Sequence, residues 1–403
     1  MKHKLLPSMI GAVLAGGMGA AQADITVFGH LDTSIVSHDT DQGFVNTATF
    51  VNPSNAAGNV AGSSVGDNRE DTNFVCTTCS IGFKGSEDLG NGLKAIFKLD
   101  FQFDMFSRQK SSLLDRDQWL GLAGNFGQVR WGTISTPYKS HGAMIDPLYR
   151  TAAQGRTSGL QSQLHLGAGE DGQGRAEHTV RWDSPSWNGF KVAAYYTLDS
   201  TERDGVPGVG NLKGEEDDDA YGIGGQYTNG GILVFADYVT NNGDDTDNVN
   251  GDLTAWKVGG KYTINNFAVM GQYESIEPQF NLLAPLGIPG SGNQEQDQWH
   301  LAGTWTSGNN MVYAGYGATD YSDILNSASQ DDMDQTAFTI AGTHNLSKRT
   351  MIYAAYNHIE QEPDGTAISG LTGLLTAVQN PLEPKIVNDP ERDVFAIGMK
   401  HKF

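Results

Sequence analysis

From Asp24 to Phe403, apolar and polar residues alternate in short runs separated by turn residues. Ile25, Val27, Gly29 and Leu31 alternate with Thr26, Phe28, His30 and Asp32. Leu93, Ala95, Phe97, Leu99, Phe101 and Phe103 alternate with Lys94, Ile96, Lys98, Asp100 and Gln102. A period of two puts each set on its own face of a strand. A run of about ten residues is also long enough for a tilted strand to cross a bilayer. Strands are predicted over 24–36, 73–86, 92–103, 115–124, 126–135, 177–186, 189–198, 219–228, 230–240, 253–263, 266–276, 297–306, 311–319, 334–345, 350–360 and 391–403. In the last of these, Phe403, His401, Met399, Ile397 and Phe395 share one face, so the chain stops inside an amphipathic strand on an aromatic residue.

The connections alternate strictly in length. Short ones fall near 87–92, 125–126, 187–189, 229–230, 265–266, 307–310 and 347–349. Long ones fall near 37–72, 104–115, 136–176, 199–218, 241–252, 277–296, 320–331 and 361–390. All tight turns therefore lie at one end of the strands and all long loops at the other, the asymmetry of an outer-membrane barrel. The pattern predicts an all-β protein, a transmembrane antiparallel β-barrel of about 16 strands closed through Phe403. Trp131, Trp187, Tyr227, Tyr262, Phe267, Trp305, Tyr313, Tyr353 and Phe403 lie near strand ends, where interfacial girdles are expected.

Composition fits that picture. Only 38% of residues are hydrophobic, enough for a barrel in which one face of each strand must be apolar. Lys2 and Lys4, an apolar stretch from Leu5, and Ala21-Gln22-Ala23 read as a cleaved signal peptide over 1–23, leaving a barrel domain over 24–403. The net charge of −21 disfavours nucleic acid. Acidic runs at 215–219, 244–247 and 331–334 read as solvated loops, with divalent-cation bridging to lipopolysaccharide as the functional alternative. Cys76 and Cys79, the two cysteines, read as a local disulfide in the first long surface loop. A metal site would need further ligands, and no metal or cofactor is expected.

Three stretches carry a resemblance: the first strand Asp24–Asp32, the hairpin Gly82–Ala95 and the hairpin Arg116–Gly132. With Phe403 they resemble the Gram-negative trimeric general porins. The resemblance implies a homotrimer of sixteen-stranded, water-filled barrels, in which the third long loop, here 136–176, folds into the lumen. It also implies Arg after Gly132, where this chain has Thr133, so the basic cluster is expected to be thinner and anion preference weaker.

Strand parity names the lumen wall. With Phe97 and Leu99 outward, Lys94, Lys98 and Asp100 point inward. The same logic turns Lys84, Arg130, Arg181 and Asp183 inward, with Arg116 on a strand that has apolar residues on both faces. Charges belong in the lumen because they are costly toward lipid at mid-depth. Asp146 is the expected loop acid opposing these bases, with Glu170 and Asp171 behind it. Acidic mouths and basic walls together predict weak selectivity, mildly cationic at low salt. His30, His141, His165, His178 and His344 lie on separate segments and no HExxH motif occurs, so no enzyme is expected. The expected function is passive diffusion of small hydrophilic solutes and ions. A substrate-selective channel and a surface adhesin or receptor barrel are the alternatives.

Overall fold

A computed structural model describes residues 24–41, 69–106, 114–162, 174–198, 220–241, 253–278, 295–322, 333–363 and 390–403. Residues 1–23, the acidic runs at 215–219 and 244–247, Asp331, Asp332, His165, Glu170 and Asp171 lie outside the described residues. The strands are β1 Asp24–Thr40, β2 Arg69–Cys76, β3 Ser80–Gly90, β4 Leu93–Gln102, β5 Leu114–Gly124, β6 Gly127–Ser135, β7 Arg175–Asp183, β8 Phe190–Thr197 and β9 Ala220–Asn229. They continue as β10 Ile232–Asn241, β11 Leu253–Ile264, β12 Phe267–Pro278, β13 Glu295–Ser307, β14 Asn310–Ser322, β15 Met333–Asn345, β16 Thr350–Pro363 and β17 Glu391–Lys402. Two short helices, α1 Pro137–Met144 and α2 Gly155–Ser158, lie between β6 and β7.

All strand pairs are antiparallel between sequence neighbours, and β1 closes the sheet against β17. β2 and β3 both pair with β1 and are two halves of one barrel position, so the barrel has sixteen. Thr33 faces Cys76 and His30 faces Ser80. Two residues on β1 therefore oppose Thr77, Thr78 and Cys79, a one-residue bulge. Cys76 and Cys79 thus sit in the barrel wall, not in the surface loop expected from the sequence. Their Cα atoms are 5.8 Å apart and Cys79 is fully buried. The strand predicted over 73–86 already spans both cysteines; the bulge between them escaped the sequence because a single extra residue leaves no mark on hydrophobic periodicity.

The seam closes as the sequence suggested. Gly29 and Phe403 exchange two backbone hydrogen bonds of 3.1 and 3.2 Å. The Phe403 ring lies directly over Gly29, where any Cβ would collide with it. Hairpins end in tight turns at the predicted positions. Asn91-Gly92 and Asn188-Gly189 both have positive φ at each residue, the mirror-image turn that suits twisted strands.

Burial is inverted relative to a soluble core. Outward residues such as Leu120, Val258, Leu301 and Ile397 are each about half exposed, while Asp32, Asp100, Lys257, Glu274 and Gln298 are buried inside. An apolar exterior and polar interior are what lipid outside and water inside select. Trp187, Tyr262, Phe267 and Trp305 are exposed beside the tight turns, as a girdle requires. Tyr313 and Tyr353 are not part of it. Both point inward and are buried, Tyr313 hydrogen-bonded to His300 and Tyr353 to Asp32. Their partners lie on other strands, which parity within one strand cannot reveal.

Candidate pore-lining site

The wall from β3 to β7 gathers charge. Lys84 and Lys98 are cross-strand neighbours, each with its ammonium 5.6 Å from the Phe28 ring centre. Lys98 Nζ lies 2.6 Å from Asp117 and 3.7 Å from Asp100. Arg116 donates from Nε to Asp100 at 3.3 Å and from Nη1 to Gln102. Arg175 Nε donates to Asp117 at 3.1 Å. Arg130 pairs with Asp183, and its guanidinium lies 5.0 Å from the Trp119 ring centre. Arg181 lies 2.6 Å from Asp183 and donates to the Ser135 carbonyl. Three carboxylates, Asp100, Asp117 and Asp183, thus serve five bases.

Bulges make this crowding possible. Leu99 faces Gln118 and Phe101 faces Asp115, so Arg116 and Asp117 together oppose the single residue Asp100. Both side chains then make ion pairs inside, although neighbours on a regular strand would point apart. A second register shift, between Gly132 and Ile134, brings Arg175 to the same cluster. Asp117 and Arg175 were missed in the sequence because parity assumes a regular ladder. Thr133 pairs with Gln118, and Gln118 with the outward Leu99. Position 133 therefore stands on the outward row, and the departure at Thr133 does not thin the inward bases.

The segment from 136 to 162 is held against inward residues of the far wall. Thr136 caps α1 by accepting from Lys139 N at 3.2 Å, and Pro137 suits the first turn, whose N–H groups lack helical partners. His141 Nδ1 lies 2.7 Å from Asp237 on β10. Gln272 on β12 donates to the Gln161 carbonyl at 2.6 Å, and Ser162 donates to Glu274 at 2.7 Å. Asn357 on β16 donates to the Ser158 carbonyl, and Lys400 on β17 to the Tyr149 carbonyl. Lys257 lies 4.0 Å from the Tyr138 ring centre, between Asp237 and Glu274 in register. These acids and amides form a dock that the sequence did not single out.

Asp146 is inside this segment, but it serves the segment itself. Oδ1 accepts from Leu148 N at 2.9 Å and Oδ2 from Gly155 N at 2.8 Å. Burial pushes its carboxyl up to about 6, against those two donors and the Arg156 charge. Among the described residues of the loop, two arginines stand near it. Arg150 and Arg156 place their guanidiniums 5.6 and 5.7 Å from the Tyr149 ring centre. Arg150 has φ 63°, a left-handed conformation costing roughly 1–3 kcal/mol for a non-glycine residue and typical of functional positions. Burial pushes the Tyr149 phenol up, yet the charges of Arg150, Arg156, Arg116 and Arg175 hold it below its ordinary value. Two loop arginines therefore flank the phenol, and the charges of two wall arginines act on it. Burial and the charges of Arg175, Arg156 and Arg116 hold the Lys139 ammonium well below its usual range, against Asp117.

The family model described as Gram-negative porin matches residues 10–364. The major outer membrane protein P.IB of Neisseria gonorrhoeae is 25% identical over 358 residues, covering 85% of this chain and 90% of that protein. Among solved structures, the anion-selective porin from Comamonas acidovorans has a TM-score of 0.64 at 19% identity, covering 95% of this chain and all of that one. The trimer form of OmpT from Vibrio cholerae has a TM-score of 0.58 at 15% identity, covering 94% and 99%. These likenesses, the closed sixteen-position barrel and its polar interior agree on one outcome. The chain belongs to the Gram-negative porin family and is an outer-membrane channel for passive diffusion, not an enzyme.

Proposed function

We propose that the segment from 136 to 162 narrows the lumen against the wall of β3–β7, and that this gap admits small hydrophilic solutes with a preference for anions. The carrying observation is the excess of bases over carboxylates on that wall, with Arg150 and Arg156 on the loop. The narrowest section governs selectivity, because partial desolvation there strengthens charge. The bases on the described part of the loop support this preference over the mildly cationic expectation drawn from net charge. In a tenfold potassium chloride gradient the zero-current potential should carry the sign of anion preference. A cation-selective sign would overturn this reading, and saturable uptake of one sugar that excludes others of equal size would overturn the general pore.

Three further assignments belong to the same reading. The apolar exterior contacts outer-membrane lipid and lipopolysaccharide, and the protein is a homotrimer, as supported by the shared fold with the trimer form of OmpT. Residues 1–23 are an export leader, supported by the basic start, the apolar stretch and the Ala21-Gln22-Ala23 site. Cys76 and Cys79 are bridged, supported by their adjacency in the wall bulge. Native trimers on a gel and the mass of the unreduced mature chain check all three.

A further inference from the structure

The outer face of the barrel carries a cluster that the pore does not use. In one outward row near the loop ends of the strands, Leu301, Tyr316 and Phe338 are cross-strand neighbours. At β16 the same row turns polar. Phe338 faces His358, His358 faces Asp393, Asp393 faces Asp39, and Asp39 faces Glu70. In the next outward row toward the loops, Glu360 faces Glu391. Carboxylates directly opposite one another repel, and charge on an outward row is costly unless it is countered. Among the described residues, no lysine or arginine stands on the outward rows of β16, β17, β1 and β2. A cation bound from solution would relieve that repulsion, and one point on the face has the side chains to hold it.

We propose that His358, Glu391 and Asp393 form a binding site for a divalent transition-metal ion of the zinc type. One ligand atom from each residue lies within 4.8 Å of the other two. His358 Nδ1 and Asp393 Oδ1 are 2.9 Å apart, close to the roughly 3.0–3.4 Å that separates two ligands on one zinc. The ion takes the place of the hydrogen between that pair, and the neutral imidazole carries its proton on Nε2 instead. An imidazole with two carboxylates suits zinc and its neighbours better than calcium or magnesium, which take oxygen ligands. Tyr356 donates to Asp393 Oδ1 at 2.6 Å and so orients that carboxylate. Asp41 accepts from Glu391 N at 3.3 Å, and Asp41 N donates to the Glu391 carbonyl at 3.0 Å, which fixes the backbone of the third ligand. The Phe338 ring lies 6.4 Å from the imidazole between centres and limits its swing. The Asp393 side chain is 41% exposed, so water completes the coordination. The ligands come from β16 and β17, which a long loop separates in the chain, so spacing in the sequence does not reveal them. A bound ion ties the closing strand to its neighbour. The site lies outside the lumen and is independent of the proposed anion preference.

The probe is zinc chloride, added to purified, chelator-treated channel in detergent and followed by titration calorimetry and thermal unfolding. One zinc per chain is expected, with a rise in unfolding temperature, since a ligand that binds the folded state stabilises it. His358→Ala and Asp393→Asn should each weaken binding roughly tenfold or more and remove the thermal shift. His344→Ala, which changes a histidine at the tight-turn end of β15, should do neither. Copper(II) in place of zinc should show the coupling of one imidazole nitrogen in electron paramagnetic resonance, and His358→Ala should remove it. Single-channel conductance should be unchanged in every variant, which shows that each barrel is folded and that the site stands apart from the pore. Zinc binding that survives His358→Ala would overturn the site. So would calcium that displaces zinc at equal concentration, the mark of a diffuse acidic surface. Absence of saturable zinc binding to the conducting wild type would overturn it as well.

Discussion

The two halves of the barrel wall are built differently. From β8 through β16 to β17 the ladders run without a register shift. From β2 through β7 they are broken at the Cys76–Cys79 bulge, at Asp88/Gly90, at Leu99/Phe101 and at Gly132/Ile134. The regular half presents acids, amides and the lysines Lys257 and Lys400, engaged with the loop or with a neighbour. The irregular half presents arginines and lysines in excess of carboxylates. A regular ladder spaces inward side chains two residues apart along each strand, which suits a surface meant to be matched by a docked loop. A bulge turns an extra residue inward and aims it, which suits a surface meant to concentrate charge on an open gap. On the proposed function, the regular half anchors the loop and the irregular half sets selectivity.

The largest test of that division attacks the dock. Asp237→Ala leaves Lys257 and His141 buried beside each other with one carboxylate fewer. Undocking of the loop should become easier by about 3–5 kcal/mol, the usual cost of breaking a buried pair. Hydrogen exchange across 137–162 should rise sharply while the strands of the wall stay protected. Unchanged protection in that segment would show that Asp237 does not hold the dock.

A glycine in each half separates bulge from ladder. Gly132 has φ 133°, and a Cβ there would lie 2.2 Å from the Gln118 carbonyl oxygen. Gly303, on the regular side, would meet only the Ala268 carbonyl oxygen at 3.7 Å. Gly132→Ala should cost about 1–3 kcal/mol through strain, and Gly303→Ala less than about 0.5 kcal/mol. Denaturant unfolding in detergent reads the difference, and equal effects would refute the idea that the bulge is strained into place.

Selectivity should respond to the irregular half alone. Arg175→Ala removes one guanidinium from Tyr149 and should lower the anion-to-cation permeability ratio roughly twofold. Lys257→Gln, in the regular half, should move it far less. A larger shift from Lys257→Gln would exchange the roles of the two walls.

The smallest effect is the titration of Asp146. Its folded value, about 6, lies above its ordinary 3.8. The protonated form therefore contributes stability that is fully present below the ordinary value and is lost as pH rises through about 6. Between pH 7 and 5 the pore gains one positive charge unit, so anion preference should increase modestly on acidification. Asp146→Asn should remove that step, and a step that persists in the variant belongs to another group.

Much of the fold was legible because lipid imposes it. The period of two in Leu93–Phe103, the Asn-Gly turns and the aromatic end at Phe403 follow from a rule that every strand obeys, apolar outward and paired on both edges. Lys84, Lys98, Arg130 and Arg181 were placed inward by the same rule on stretches where the ladder is regular, and Asp100 by the alternation of its own strand, the extra residue being on β5. Arg116 was ambiguous in sequence because its strand carries apolar residues on both faces, and the bulge opposite Asp100 resolves it.

The sequence by itself determined the barrel, its strand count, its closing residue and the polar lumen, because these depend on alternation along one strand and on turn chemistry within a few residues. Only the tertiary structure decided which charges meet. Asp117 and Arg175 lie 58 residues apart and pair because two register shifts turn them together. Arg150 and Arg156 flank Tyr149 within a loop without periodicity, and Asn357, Gln272 and Lys400 hold that loop against the far wall. Charge selectivity is a property of distances across the lumen, and alternation along a strand carries no information about those distances.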